Sequence, residues 1–109
     1  MSKSFTGKIG FCIGNTLSPD IKPVAEGIRV AGPAFTVRLR PGDNLMLHKA
    51  IGLAQPGDVI MVDTCGSNNN SIMGDLMATA AFSKGLAAII IDGGIRVGEE
   101  LREKKFPVF

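Results

Sequence analysis

Apolar positions along the chain fall into two kinds of run. Val59-Ile60-Met61-Val62, and Leu86 to Ile91, are apolar without alternation and are bounded by Pro56-Gly57, Gly66, Gly85 and Gly93. Short unbroken runs of this kind mark strands covered on both faces, as in parallel sheets, and predict strands over 58–63 and 86–92. Residues 28–39 alternate well enough for an earlier strand, with Val30, Ala34, Phe35 and Val37 apolar and Gly32-Pro33 interrupting it. Between the strands the spacing becomes helical. Leu45, Leu47, Ala50, Ile51 and Ala54 suit a helix of about three turns, capped by Asp43 or Asn44 and stopped at Pro56-Gly57. Residues 72–84, rich in Ala, Met and Leu and closed by Gly85, predict a second helix, and the charged stretch 99–105 a short third with a solvated face. Phe106 to Phe109 begins a further strand. Residues 1–26, broken by Gly10, Gly14, Pro19 and Pro23, form a poorly defined N-terminal segment with one short strand around 9–13. The order β-α-β-α-β-α-β, without repeats, predicts one α/β domain over 1–109.

A chain of 109 residues suits a single core. So many two-sided strands need covering layers that this length supplies sparsely, which predicts either oligomerisation or a chain incomplete at its ends. A net charge of +2 and the absence of Trp and Tyr argue against direct nucleic-acid binding by charge or by base stacking. No apolar run approaches the roughly 20 residues of a membrane helix. Cys12 and Cys65 form no C-x-x-C pair and the first residues lack the apolar centre of a signal peptide, so a reduced cytoplasmic setting is expected. Neither a G-x-x-x-x-G-K-[ST] nor a G-x-G-x-x-G run occurs, so nucleotide binding is not indicated.

Open α/β sheets bind ligands outside the C-terminal ends of their strands, which here lead into the polar loop after Asp63 and the glycine pair after Asp92. The helix that follows the first of these loops would aim its free N–H groups and positive dipole end at a ligand in front of it, a setting that suits a carboxylate. Gly74-Asp75-Leu76-Met77 lies at that helix start, and Arg96 follows the second strand end. A guanidinium can hold a carboxylate through two parallel hydrogen bonds. Together these groups could receive a small oxo-acid. Read singly, each has a plainer role: Arg96 as a surface partner of Asp92 or Glu99, and Asp75 as a first-turn helix acid. His48 shares a helix face with Asn44 and reads as a packed, hydrogen-bonded residue rather than a ligand. The two cysteines read as packing or loop residues, since neither has a basic neighbour to activate it.

Gly32-Pro-Ala-Phe-Thr-Val37, Gly42-Asp-Asn-Leu45 with His48, Pro56-Gly-Asp-Val59, Gly74-Asp-Leu-Met77, Asp92-Gly-Gly-Ile-Arg96 and Phe106-Pro-Val-Phe109 occur in one order. That order resembles the RraA-like family, which includes 4-hydroxy-4-methyl-2-oxoglutarate aldolases and the regulator of RNase E activity A. The resemblance implies a layered α/β domain of the swivelling β/β/α type, assembled as trimers or hexamers with sites near subunit interfaces. It also implies N-terminal helices and C-terminal strands that this chain does not contain. In the aldolase branch it implies an Asp, twenty intervening residues, then Arg-Asp. Asp75 and Arg96 hold the first two places, and Val97 stands in the third.

By this resemblance Arg96 and the backbone N–H groups of Leu76 and Met77, beside Gly74, bind a pyruvate carboxylate, while Asp75 holds metal-bound water. The residue at position 97 would ligate Mg²⁺ or Mn²⁺ directly, and Val97 has no ligand atom. The implied activity is metal-dependent lyase chemistry: retro-aldol cleavage of oxo-acids to pyruvate, or oxaloacetate decarboxylation, both through a pyruvate enolate. The regulatory branch also lacks an Asp after its Arg, so a non-catalytic regulator that binds a ribonuclease is the alternative.

Overall fold

The computed structural model describes residues 17–66, 71–96 and 98–109; the strand expected around 9–13, Cys12 and Val97 lie outside them. Three strands, β1 (Ala34–Arg38), β2 (Val59–Asp63) and β3 (Ala88–Asp92), alternate with three helices, α1 (Leu45–Leu53), α2 (Asp75–Ser83) and α3 (Glu99–Glu103). The strands pair in parallel in the order β1-β2-β3. In-register rows follow, because side chains alternate between the faces of a sheet. Phe35-Ile60-Ile89 and Val37-Val62-Ile91 lie on one face, packed with Leu47, Ala50 and Ile51 of α1, Ala78 and Ala81 of α2, and Leu101 of α3. On the other face Val59, Ala88 and Ile90 form a smaller apolar cluster with Ile21, Val30, Met61 and Phe109.

Two strands fall close to their predicted places, and the earlier strand is shorter than expected. Pro33 has no N–H to donate, so its contribution is its carbonyl, which accepts the Val59 N–H at 2.8 Å. Regular pairing then runs only from Ala34 to Arg38. After α3, Phe109 N–H donates to the Ile89 carbonyl at 3.0 Å and Ile91 N–H to the Phe109 carbonyl at 2.9 Å. The last residues thus lie along β3 as the expected start of a further strand.

The second helix differs more. It begins at Asp75, not at residue 72. Ile72 and Met73 are fully buried yet extended: Ile72 N–H donates to the Gly94 carbonyl and Arg96 N–H to the Met73 carbonyl, each at 3.0 Å. Gly74, with φ −125° and ψ −175°, turns this short parallel pairing into the helix.

Helix ends are closed by local motifs and, at the end of α1, by a neighbouring helix. Asn44 occupies the N-cap position of α1, but the Asp43 carboxylate accepts the Leu45 N–H at 2.9 Å, leaving the Asn44 amide free to donate to the Ile72 carbonyl at 3.4 Å. At the opposite end the Lys84 ammonium donates to the carbonyls of Ile51 and Gly52, at 2.9 and 2.5 Å, and so caps α1 from α2. α2 itself ends in a Schellman motif, Leu86 N–H to Ala81 O and Gly85 N–H to Phe82 O, with Gly85 at φ +91°. α3 repeats it with Phe106 N–H to Leu101 O and Lys105 N–H to Arg102 O, but here the left-handed residue is Lys105, at φ +49°. A lysine is strained in that region where glycine is not. Lys105→Gly is expected to stabilise the fold by up to about 1 kcal/mol, the strain relieved being partly offset by a more mobile unfolded chain; urea unfolding of the two proteins checks this.

Candidate functional site

The C-terminal ends of β2 and β3 and the start of α2 converge. Thr64, directly after β2, is fully buried and its hydroxyl donates to the Asp92 carbonyl at the end of β3, at 2.5 Å. The chain then passes Gly93-Gly94-Ile95 to Arg96, stitched on the way to Ile72 and Met73 as described above. Asp75 lies two residues after Met73. The residue bearing the guanidinium and the first turn of α2 are therefore held side by side by backbone hydrogen bonds. Arg96 is exposed and, among the described residues, pairs with neither Asp92 nor Glu99. The plain surface-pair reading of this arginine does not hold.

The amides of the first helical turn have no partners within their own helix. No side chain caps them: among the described residues no acceptor meets the N–H groups of Asp75, Leu76 or Met77. Leu76 is 88% exposed, so this turn faces solvent. Asp75 is half-buried, and its Oδ1 is buried without a hydrogen-bond partner among the described residues. A buried acceptor of this kind calls for a partner, such as water or a bound group. Gly98, on the far side of Arg96, packs directly on the Asp75 carboxylate; a Cβ there would collide with Oδ2.

Asp75 is the carboxylate that the first turn of α2 carries. Among the described residues no group of three His, Cys, Asp or Glu side chains could hold a metal ion, and Val97 supplies no donor atom. The described donor set does not make a Mg²⁺ or Mn²⁺ centre by itself. His48 is exposed on α1 rather than packed, because the buried face of that helix is taken by Leu47, Ala50 and Ile51. Cys65 is an exposed loop residue with φ +56°. A separate cleft of about 710 Å³ opens on the other sheet face between Thr36, Met61, Ile90 and the Arg38–Asp63 ion pair of 3.1 Å; neither Asp75 nor Arg96 lines it. Among the described residues no helix is long and apolar enough to cross a membrane.

The family model described as RraA-like, Aldolase/RraA, matches residues 8–109. The chain belongs to the RraA-like family. A putative 4-hydroxy-4-methyl-2-oxoglutarate aldolase of Halalkalibacterium halodurans is 41% identical over 85% of this chain and 44% of its own length. The 4-hydroxy-4-methyl-2-oxoglutarate aldolase of Thermus thermophilus is 33% identical over 83% of this chain and 54% of its own. The solved structure of the RNA-processing inhibitor RraA from Thermus thermophilus matches with a TM-score of 0.75 and 32% identity, over 84% of this chain and 56% of that one. This RraA-like chain thus spans about half the length of the curated relatives it matches, and it carries their α/β fold.

Sequence reasoning named Asp75 and Arg96 for the site and Asn44 only as a candidate helix cap; it gave no role to Thr64, Lys84 or Gly98. A lone threonine after an apolar run carries no signal of its own. That it faces a glycine pair across the sheet is visible only once the strands are in register.

Gly98 has φ −84° and ψ 165°, a conformation open to any residue, so its requirement is purely steric. Gly98→Ala is expected to destabilise the protein by about 1–3 kcal/mol by pressing on Asp75. In an Asp75→Ala background the same change should cost less than about 0.5 kcal/mol. Equal losses in both backgrounds, measured by denaturant unfolding, would show that Gly98 is not shaped to this carboxylate.

Proposed function

We propose that this chain provides the oxo-acid site of a lyase, cleaving 4-hydroxy-4-methyl-2-oxoglutarate-type oxo-acids to pyruvate. The observation that carries the reading is the pairing of Arg96 with the start of α2. It brings Arg96 beside a helical turn; among the described residues its guanidinium has no partner, the amides of that turn have no acceptor, and Asp75 has a buried, unsatisfied oxygen. The names of the relatives from Halalkalibacterium halodurans and Thermus thermophilus support the reaction class.

In this reading the substrate carboxylate takes two parallel hydrogen bonds from Arg96 and further ones from the Leu76 and Met77 N–H groups, beside Gly74. Asp75 places a water at the reacting end, which accepts the proton of the 4-hydroxyl as the carbon–carbon bond opens. The electrons of that bond pass into a pyruvate enolate, which is then protonated. Were a divalent cation held beside Asp75, it would supply Lewis-acid stabilisation of such an enolate. This chain's own residues bind, orient and place water. Oxaloacetate decarboxylation, dependence on Mg²⁺ or Mn²⁺ and assembly as a trimer or hexamer are finer parts of the same proposal. Exposed Leu45, Met46, Leu53 and Leu76 offer apolar surface of the kind subunit contacts cover.

A second reading, a non-catalytic regulator that binds a ribonuclease, is favoured by the lack, among the described residues, of a three-ligand metal cluster and by the likeness to the RNA-processing inhibitor. A coupled pyruvate-release assay, with and without chelator, separates the two. The lyase reading expects turnover that Arg96→Lys lowers by about 10- to 100-fold, as loss of a two-pronged charged contact implies. No turnover above blank, together with capture and inhibition of a ribonuclease, would replace it with the second.

Val97→Asp adds a carboxylate next to Arg96. It is expected to raise Mg²⁺ affinity by at least about tenfold in calorimetric titration, since Mg²⁺ is commonly held by one or two carboxylates and retained water. An unchanged titration would show that position 97 does not face Asp75.

A further inference from the structure

We infer that Thr64 is a positioning residue for Arg96, setting through its hydroxyl the path of the loop that carries the guanidinium to the carboxylate-binding turn. This rests on the oxo-acid reading above. The paired ladder of β2 and β3 ends at Asp63 opposite Asp92. One residue further, where backbone pairing stops, the Thr64 hydroxyl takes over as donor to the Asp92 carbonyl at 2.5 Å. Its side chain also fills the space over Gly93: a Cβ built there would lie 2.6 Å from Thr64 Cγ2 and 2.7 Å from Oγ1. Thr64 is the one polar side chain that is fully buried among the described residues.

The segment leaving β3 is thus pinned at its start by Thr64 and at its finish by Met73, with Gly94 held to Ile72 between them. Only three residues separate Asp92 from Arg96, so a change in direction at Gly93 is carried to the arginine with little slack. A carboxylate bound through two parallel bonds tolerates little displacement of the guanidinium. Thr64 is proposed to act through the loop, not by touching substrate.

Valine and serine separate hydroxyl from bulk, valine keeping the volume and serine the donor. Two measurements are compared across wild type, Thr64→Val and Thr64→Ser: the dissociation constant of pyruvate by calorimetry, and the rate of trypsin cleavage after Arg96 relative to cleavage after exposed Arg29. Thr64→Val is expected to weaken pyruvate binding by about tenfold and to speed cleavage after Arg96 severalfold, whereas Thr64→Ser stays within about twofold of wild type in both. Gly93→Ala, pressing on Thr64 from the other side, should reproduce the valine pattern, and serves should the valine variant fail to fold. A merely structural threonine would lower the melting temperature without changing cleavage after Arg96 relative to Arg29. That result, or a serine variant as impaired as the valine one, overturns the assignment. If wild type binds no pyruvate, the oxo-acid reading fails, and the cleavage ratio alone decides the role of Thr64.

Discussion

Two backbone hydrogen bonds, Ile72 N–H to Gly94 O and Arg96 N–H to Met73 O, govern the functional end of this molecule. They join the segment before α2 to the segment after β3, two stretches that the connectivity would otherwise leave as independent loops. Ile72 and Met73 are fully buried, so this pairing is anchored in the core rather than floating at the surface. Because the bonds are made by main-chain groups, they fix the arginine beside the helix start without using any side chain that could meet a ligand. The chemistry-bearing groups, the Arg96 guanidinium and the first amides of α2, are left unpartnered among the described residues.

The same economy recurs around the site. Asn44, displaced from capping its own helix by Asp43, reaches across to the Ile72 carbonyl. Thr64 takes the Asp92 carbonyl where the sheet runs out. Gly98 gives its missing side chain to the room that Asp75 needs. Each contact comes from a different element: Asn44 and Gly98 act on the segment that opens α2, and Thr64 acts on the end of β3 that leads to Arg96.

The strands and α1 were legible in the sequence because short apolar runs bounded by Pro-Gly or Gly admit few other structures. The start of α2 was not. Ile72 and Met73 are as apolar as the helical residues after them, and a buried extended pair and a buried helical turn look alike in an apolar run. Asp75 and Arg96 could be named from their residue types and their places at strand and helix ends. That they lie side by side depends on the pairing of residues 72–73 with 94–96, which no local pattern encodes. His48 misled for the opposite reason: its spacing is helical, but the buried arc of α1 is filled by Leu47, Ala50 and Ile51, which turns the imidazole to solvent.

Lys84 has a consequence beyond closing a helix. The starts of α1 and α2 meet through Asn44 and their ends through Lys84, so the two helices run side by side in the same sense. Aligned dipoles crowd like partial charges at both poles. One ammonium placed against the carbonyls of Ile51 and Gly52 offsets the negative pole, far from the ligand-facing end. At the start of α2 the protein's own first-turn anion is Asp75, and among the described residues no side chain caps the amides there, which stay open to an arriving anion.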